Sequence, residues 1–308
     1  MKNLNILLDN VSINSNSGPN SFARKLHKYL SKKGNRFDKK PDIILSFIQS
    51  TAFLKGVPAI LRLDGIYFNT LQDYHLLNKN IRDSYHKADG VIIQSEFDKE
   101  LIFRYFGEHP SAEVIHNGAD NELIDTLEPL KNKITDSYSN LWCCASSWRP
   151  HKRLNDNIRY FQEHSAKDDC LIIAGNVGEK DRVKQKNIYY VGNLDYEPLL
   201  RLYKTSKYFI HLAWLDHCPN VVVDAKSAGC KLICSSEGGT AELADKDDIM
   251  VVEEPWNFEP VELYNPPRLD FTKKKIIKND TKLCYNMDNV ADKYLKYMRG
   301  VLRNASSS

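Results

Sequence analysis

The chain has 308 residues, of which 42% are apolar, and its formal net charge at pH 7 is +3. This length allows one large domain or two small ones, and the small net charge argues against general nucleic-acid binding. No apolar run comes near the length of a membrane-spanning helix, about 18 residues, and the N-terminus does not resemble a signal peptide. The seven cysteines lack the spacing of a zinc site, so we expect buried free thiols in a reducing cytoplasm.

Ten short apolar runs predict β-strands along the chain. They are NILLD, DIILSF, AILRLD, VIIQS and EVIHN in the first half, and LWCCASS, LIIAG, IYYVG, YFIHLAW and LICSS in the second. The runs are continuous and rich in β-branched residues, which is typical of strands buried on both faces of a parallel sheet. Helical patterns such as SFARKLHKYLSKKG and EPLLRLYKTS lie between them. This alternation predicts an α/β architecture.

A polar connector near residues 125–138 interrupts the strand pattern, which starts again at Leu141. We therefore predict two Rossmann-like domains, residues 1–130 and 131–280, whose parallel sheets face each other across a cleft. In residues 281–308, an apolar stripe predicts a helix that packs back on the N-terminal domain. The stripe consists of Val290, Ala291, Tyr294, Leu295, Met298 and Leu302. The tail, NASSS, is expected to be disordered.

In open α/β sheets, ligands bind beyond the carboxyl ends of the strands, so the candidate site residues are those that follow strands. Gly18 lies in SGPN, ahead of a helix that Pro19 can start, and the N–H groups there can face a phosphate or an acceptor. A Gly-Pro turn without a ligand is the alternative. Gly175 ends one strand, and Gly192 with Asn193 ends another. Both are ordinary turns, but both would open on the cleft.

Two cations follow the strand LWCCASS. Arg149 and Lys152 stand three residues apart, directly before a predicted helix. An arginine fork and a lysine point charge at a strand end can clamp a diphosphate. A solvated basic loop is the alternative, and these residues alone do not distinguish the two.

Two carboxylates lie eight residues apart in WLDHCPNVVVDAKSAG. Asp216 is predicted in a loop, and Pro219 takes the first position of a helix. Asn220 and Asp224 then share one helical face, which we expect to face the cleft. Two acids placed in this way can accept hydrogen bonds from the hydroxyl groups of two sugars. The alternatives are a turn or cap acid for Asp216 and a solvent-facing helix residue for Asp224.

Five motifs occur in an order that resembles retaining GT-B glycosyltransferases of family 4, the glycosyl transferases group 1 type. They are VIHNG, SSWRPHK, VGN, DHCPNVVVDAKSAG and GGTAE. The resemblance covers residues 91–242 well and extends more loosely into the N-terminal domain through SGPN, RLDG and VIIQSEFDK. It implies a GT-B fold, with an N-terminal acceptor domain and a C-terminal nucleotide-sugar domain.

The resemblance also implies roles for individual residues. Arg149 and Lys152 would hold the donor diphosphate, while Asp216 and Asp224 stand where the family has glutamates that contact the donor sugar and the ribose. Where many relatives carry a histidine near the reacting sugar, this chain has RLDG, and we favour Asp64 as the catalytic group there. The further donor-binding residues are Gly18, Gly175, Gly192, Asn193, Asn220 and Val221.

The implied reaction moves a hexose from a UDP- or GDP-linked donor to a hydroxyl of a glycan or lipid-linked acceptor, with retention at the anomeric carbon. Fixed cations would replace a metal, so no metal and no cofactor are expected. The pair Asp245 and Asp247 has the D-x-D spacing of metal-dependent transferases, but it lies in a charge-rich turn that we interpret as a solvated loop. The alternatives are a catalytically degenerate module that binds a nucleotide sugar or glycan, and a GT-B epimerase or hydrolase.

A basic amphipathic segment, residues 22–40, suggests a weak contact with an anionic membrane. Its cations accompany an apolar face that consists of Phe22, Leu26, Tyr29 and Leu30. The expected location is therefore the cytoplasm, with peripheral contact at the inner face of a membrane. A solvated outer helix face is the alternative.

Overall fold

The computed structural model describes residues 3–15, 17–38, 40–277 and 285–306. They form two compact units, each an α/β structure built on a largely parallel sheet. As far as its residues are described, the first unit comprises Met1–Ala119, Phe258–Val261 and Tyr285–Ser308, and the second comprises Asp120–Asn257 and Glu262–Cys284. The prediction of an α/β protein with two Rossmann-like domains is confirmed.

The strands include all ten predicted runs. They are β1 (Ile6–Asp9), β2 (Ile43–Phe47), β3 (Ala59–Leu63), β4 (Gly90–Ile93), β5 (Ala112–Val114), β6 (Asn140–Ala145), β7 (Asp169–Ala174), β8 (Ile188–Gly192), β9 (Tyr208–His211), β10 (Lys231–Ser235), β11 (Ile249–Val251) and β12 (Lys274–Ile276). The helices are α1 (Gly18–Lys32), α2 (Tyr74–Lys87), α3 (Glu96–Phe106), α4 (Asn121–Thr126), α5 (Leu154–His164), α6 (Tyr196–Thr205), α7 (Asn220–Ser227) and α8 (Met287–Ala305). Sequence patterns did not predict the short strands β11 and β12.

The sheet of the first unit has five parallel strands in the order β1-β2-β3-β4-β5. On the other side of β1, an isolated parallel bridge joins Asn5 to Arg36. After β1 and α1, the chain therefore passes along one side of β1 at Arg36 and then crosses to form β2 on the other side of β1. Such a reversal creates a crevice at the carboxyl ends of β1 and β2, which is where open α/β sheets bind ligands.

Helices α1 and α8 cover the sheet of the first unit on one face. Phe22, Leu26, Tyr29 and Leu30 of α1 are fully buried there, together with Tyr294 of α8. The apolar face that the sequence assigned to membrane contact in residues 22–40 is therefore part of the core. A contact with anionic lipid would have to use the exposed cations among the described residues of this segment. Lys39 lies outside the described residues.

The C-terminal helix follows the predicted stripe closely. Val290, Ala291, Leu295 and Met298 are buried in the core of the first unit, as the sequence pattern requires. The helix continues to Ala305 and so extends into the tail that was expected to be disordered. The last two residues, 307–308, lie outside the described residues.

The sheet of the second unit has seven strands in the order β12-β11-β10-β9-β6-β7-β8. All neighbouring pairs are parallel except β12, which runs antiparallel to β11. Because β6 and β9 are adjacent in its middle, the loops that follow these two strands emerge side by side at the carboxyl edge. This topology brings the segment after LWCCASS next to the segment after YFIHLAW.

The connector between the units belongs to the second unit. Lys204 donates to the carbonyl of Ile124 at 2.7 Å, and the Leu130 amide donates to Thr205 Oγ1 at 2.7 Å, so α6 holds this segment. The first unit accordingly ends at Ala119, earlier than the predicted boundary at residue 130. A later segment, Phe258–Val261, returns to the first unit, where the Thr70 amide donates to the carbonyl of Val261 at 3.0 Å.

The six cysteines of the described segments are all buried free thiols. They are Cys143, Cys144, Cys170, Cys218, Cys230 and Cys234, whereas Cys284 lies outside the described residues. Across the described ranges, no helix is long and apolar enough to span a bilayer.

Candidate functional site

A buried ion pair stands at the carboxyl edge of the second sheet. Lys152, which follows β6, donates from Nζ to Oδ2 of Asp216, which follows β9, at 2.6 Å. The same oxygen lies 2.7 Å from Nε2 of His211, the last residue of β9. Asp216 is 7% exposed, whereas the Lys152 side chain is 17% exposed and so reaches the surface. The structure thus joins two predicted site residues and adds a third that the sequence did not indicate.

The charge state of this cluster follows from its contacts. Burial by itself would raise the pKa of Asp216, but the Lys152 ammonium and the His211 imidazole outweigh it and hold the pKa well below its ordinary value. Burial lowers the pKa of His211, against the effect of Asp216. At neutral pH the cluster therefore contains an ammonium, a carboxylate and a neutral imidazole.

The loop of Asp216 is held by a glycine pair from the motif GGTAE. The Gly239 amide donates to the carbonyl of Asp216 at 2.7 Å, and Leu215 adopts a left-handed φ of 52°. Gly238 approaches so closely that a β-carbon there would lie 2.8 Å from both the backbone nitrogen and oxygen of Asp216. The motif therefore fixes the backbone beneath the carboxylate.

The basic loop after β6 contains side chains in three different environments. Arg149 is exposed at the end of the loop, and Lys152 is held by Asp216, which excludes a simple solvated loop for Lys152. Arg153 is buried and makes two bonds to Glu253, Nη1–Oε1 at 2.8 Å and Nη2–Oε2 at 2.6 Å. A bidentate pair of this kind anchors the loop, so Arg153 is structural while Arg149 remains accessible.

His151 is a second buried imidazole beside the ion pair. It is 8% exposed, its ring stacks on Tyr264 with a centroid distance of 5.6 Å, and its Nδ1 has no hydrogen-bond partner within the described ranges. Burial, followed by the charge of Lys152, lowers the pKa of His151 to about 3. The ring is therefore neutral in the folded protein at any pH near neutrality.

This depressed pKa predicts a loss of stability in mild acid. An unfolded histidine has a pKa of about 6.5, so below that pH protonation favours the unfolded chain until the folded pKa of about 3 is reached. Between pH 7 and pH 5, we expect protonation of His151 in the unfolded chain to lower the unfolding free energy of the second unit by about 2 kcal/mol. Urea unfolding followed by tryptophan fluorescence measures this unit selectively, because Trp142, Trp148, Trp214 and Trp256 all lie within it.

The matched variant is His151→Gln, which has no group that titrates in this range. Between pH 7 and pH 5, the unfolding free energy of the wild type should fall by about 2 kcal/mol more than that of the variant. An unchanged difference would show that the imidazole is not excluded from protonation in the folded state.

Asp224 is buried in α7 rather than presented on an open helix face. It is 4% exposed, and the Tyr196 hydroxyl donates to its Oδ1 at 3.2 Å. Burial, and then the charge of Asp224, raises the pKa of Tyr196, so the hydroxyl remains a donor. The helix begins at Asn220 with Pro219 as its N-cap, one residue later than predicted, and Asn220 and Val221 are partly exposed in its first turn.

The predicted glycine turns lie together at the outer side of the second sheet. The Gly175 amide donates to the carbonyl of Gly192 at 2.8 Å, and both residues have positive φ, 102° and 68°. A β-carbon at Gly175 would lie 2.0 Å from the carbonyl oxygen of Ser146. Gly175 is thus required by the close approach of two loops, and Asn193 is exposed beside it.

In the first unit, Asp64 belongs to a network around a buried arginine. The guanidinium of Arg62 is 1% exposed, contacts Asp64 Oδ1, and donates to Asn117 Oδ1 at 2.7 Å and to the Tyr294 hydroxyl at 3.0 Å. Asp64 Oδ2 is a buried atom without a hydrogen-bond partner among the residues described. Gly18 is exposed as the first residue of α1.

The D-x-D pair does not form an open carboxylate cluster. Asp245 accepts from Lys226 at 2.7 Å, and the same ammonium also contacts Asp248. Asp245 is therefore engaged in an ion pair rather than freely solvated. The described segments contain no group of three or more His, Cys, Asp or Glu residues that could hold a metal ion.

One part of the chain matches a described protein family. The family model described as glycosyl transferases group 1 matches residues 130–259. No curated protein matches the chain by sequence.

Solved structures, two of them named as glycosyltransferases, have the same fold. HepE of Anabaena in complex with UDP-glucose has a TM-score of 0.58 and 14% identity, covering 99% of this chain and 94% of that one. A glycosyltransferase from Rickettsia africae has a TM-score of 0.64 and 15% identity, covering 99% and 100%. AviGT4, a glycosyltransferase involved in avilamycin A biosynthesis, has a TM-score of 0.62 and 13% identity, covering 97% and 98%. The chain therefore has the GT-B fold, and its second unit carries a segment similar to the glycosyl transferases group 1.

Proposed function

We propose that the chain is a retaining glycosyltransferase of the family 4 type, which transfers a hexose from a nucleotide diphosphate sugar to a hydroxyl of a glycan or lipid-linked acceptor. The observation that carries this proposal is the buried pair of Lys152 and Asp216 at the carboxyl edge of the second sheet, inside the segment 130–259. The complex of HepE with UDP-glucose supports a UDP-linked donor, and a GDP-linked donor is the alternative.

The cations would act on the leaving group. When the glycosidic bond to the diphosphate breaks, negative charge develops on a phosphate oxygen, and fixed positive charge at that oxygen lowers the barrier. Lys152 is held in place by Asp216 but still reaches the surface, and the exposed Arg149 can add a two-pronged contact. We propose that these two cations supply the charge compensation and that transfer needs no metal ion.

The carboxylates and turns would hold the rest of the donor. Asp216 would accept a hydroxyl of the donor sugar, and Asp224 would accept a ribose hydroxyl, in competition with Tyr196. The first-turn amides of α7 would donate N–H groups to the diphosphate end of the donor. Those amides belong to Asn220 and Val221, and the donor-binding turns are those of Gly18, Gly175, Gly192 and Asn193.

Asp64 is proposed as the catalytic group of the first unit. Arg62 fixes Oδ1 of this carboxylate. Oδ2 is buried without a hydrogen-bond partner among the described residues, and it would act on a reacting hydroxyl or on the positive charge that develops on the sugar once the donor is bound. Asp64→Asn keeps the shape of the side chain and removes its charge. Unchanged turnover in this variant would exclude the role.

A second candidate is a module that binds a nucleotide sugar without turning it over. The observation that favours it is the burial of Asp224 under the Tyr196 hydroxyl, which restricts access of a ribose to this carboxylate. A GT-B epimerase or hydrolase remains the other enzymatic alternative. We further propose a cytoplasmic location, with any membrane contact limited to the exposed cations of residues 22–40.

The test combines binding, turnover and stereochemistry. Thermal shifts are measured with UDP-, GDP- and ADP-sugars, first with EDTA and then with Mn²⁺, and release of the nucleoside diphosphate is followed for each donor. We expect stabilisation by one nucleotide, which follows from binding to the folded state, with slow release of its diphosphate in EDTA. Proton NMR of the transfer product should show the anomeric configuration of the donor.

Each other outcome supports a different function. Stabilisation without release of a nucleoside diphosphate would favour the binding module. Release only with Mn²⁺ would contradict metal independence, and an inverted product would contradict retention.

A further inference from the structure

His211 lies directly behind the ion pair and has no part in the function described so far. It is 2% exposed at the carboxyl end of β9, and its ring is nearly parallel to that of Phe209, with an interplanar angle of 11°. Its Nε2 lies 2.7 Å from Asp216 Oδ2. An ionised carboxylate can only accept hydrogen bonds, so Nε2 must carry the proton of the neutral ring.

The two oxygens of Asp216 have different partners. Oδ2 accepts from both His211 and Lys152, at 2.7 Å and 2.6 Å, whereas Oδ1 accepts the His217 amide at 3.0 Å. The neutral imidazole binds Asp216 from the strand side, and the ammonium binds it from the surface side. Oδ1 keeps acceptor capacity for a ligand hydroxyl, because a carboxylate oxygen can accept more than one bond.

We propose that His211 is a positioning residue, which fixes the rotation of the Asp216 carboxylate and, through it, the direction of the Lys152 ammonium. This inference rests on the proposed function, to which the action of Lys152 on a diphosphate belongs. The backbone of Asp216 is already fixed by Gly238 and Gly239, so the rotation of the carboxylate is the freedom that remains. A hydrogen-bond donor on β9 removes that freedom, because this strand is paired with β10 on one side and with β6 on the other.

The physical reason is that a lysine is a flexible point charge. Its four-carbon side chain samples many rotamers unless an acid holds the amine. An aspartate that can rotate would hold the amine over a range of directions. Positioning to within a fraction of an ångström is what separates an effective electrostatic catalyst from a nearby charge.

Two variants of His211 separate donation from packing. His211→Leu fills a similar volume without a donor, whereas His211→Gln can place an amide N–H near the position of Nε2. We expect kcat to fall about 10- to 100-fold in the leucine variant, the range seen when groups that orient a functional side chain are removed. The donor KM should change less than about 3-fold, and the glutamine variant should recover most of kcat.

A double-mutant cycle tests whether His211 acts through Asp216. In an Asp216→Ala background, His211→Leu should change kcat by less than about 2-fold, because the group that it orients is gone. Equal losses in both backgrounds would overturn the proposal. His164→Leu is the matched control. Its ring lies 3.0 Å from the carbonyl of Tyr160 and packs on the rings of Tyr160 and Phe271, away from the ion pair. The kcat of this variant should remain at the wild-type value.

A measurement that does not depend on enzymatic activity tests the positioning role of His211 separately from the proposed function. Long-range proton–nitrogen NMR of histidine-labelled wild-type protein identifies which ring nitrogen carries the proton, and the His211→Gln spectrum assigns the resonance. We expect a neutral ring protonated at Nε2, with a shift in Asp216→Ala. A ring protonated only at Nδ1 would overturn the positioning role even if transfer occurs. Absence of transfer by wild type with every donor would instead refute the proposed function.

Discussion

Replacing Lys152 by methionine is expected to lower kcat for sugar transfer by about 10²- to 10³-fold, the usual loss when one fixed donor to a developing negative charge is removed. Methionine keeps the length and most of the volume of the side chain but has no charge. The donor KM should change much less, because the contact strengthens as charge develops on the leaving phosphate. The measurement is steady-state release of the nucleoside diphosphate at saturating donor and acceptor.

The same substitution leaves Asp216 with the neutral His211 and the His217 amide as partners. A buried carboxylate that loses its counter-charge destabilises the fold, here by about 1–3 kcal/mol. Assays are therefore run well below the Tm of the variant. The stability and the activity losses are thus measured separately.

Lys207→Met is the matched control for this experiment. Lys207 precedes β9 at the opposite edge of the same sheet, where its amine donates to Asn140 Oδ1 at 3.0 Å. Its removal should leave kcat within about 2-fold of wild type, as expected for an exposed pair. A similar loss of activity in the Lys152 and Lys207 variants would mean that lysine at residue 152 has no specific role in transfer.

Replacing Gly175 by alanine is expected to lower the unfolding free energy of the second unit by about 3–5 kcal/mol, from the combined cost of overpacking and of a left-handed backbone. The added β-carbon would lie 2.0 Å from the carbonyl oxygen of Ser146, at a φ of 102°. The atom that it meets belongs to the backbone of the loop after β6, so no side-chain rotation can relieve the clash. Tryptophan fluorescence during urea unfolding measures the loss.

Gly192→Ala separates backbone strain from steric clash. Gly192 also has a positive φ, 68°, but the nearest atom to an added β-carbon is Asn176 Oδ1 at 3.9 Å. This variant should therefore lose only about 1–2 kcal/mol, the cost of a left-handed alanine. Equal losses in the two variants would show that conformation, rather than the contact with Ser146, makes glycine necessary at residue 175.

The sequence by itself determined the class of fold and ten of the twelve strands that the described residues form. Continuous β-branched runs predicted ten strands because parallel strands are buried on both faces, and that requirement is local to each run. The stripe of α8 was equally readable, because Val290 and Tyr294 recur at helical spacing. The candidate residues Lys152 and Asp216 could be found in a similar way, since each lies in the segment that connects a predicted strand to the next helix.

The contacts between the site residues depend on which segments become neighbours in the fold, and no local sequence pattern encodes those neighbours. Lys152 and Asp216 are 64 residues apart in sequence and meet only because β6 and β9 are adjacent in the sheet. His211 is a histidine within the apolar run YFIHLAW, but the sequence did not indicate that it would pair with Asp216. The burial of Asp224 likewise depends on Tyr196, which α6 brings to α7.

The tertiary structure also determined what the apolar face of the basic amphipathic helix α1 contacts. Its sequence is compatible with a membrane surface or with a protein core, because both bury one apolar face. Helix α8, more than 250 residues later in the chain, covers that face together with the first sheet. Local periodicity fixes which side chains share a face, whereas only the packing of distant elements fixes what that face contacts.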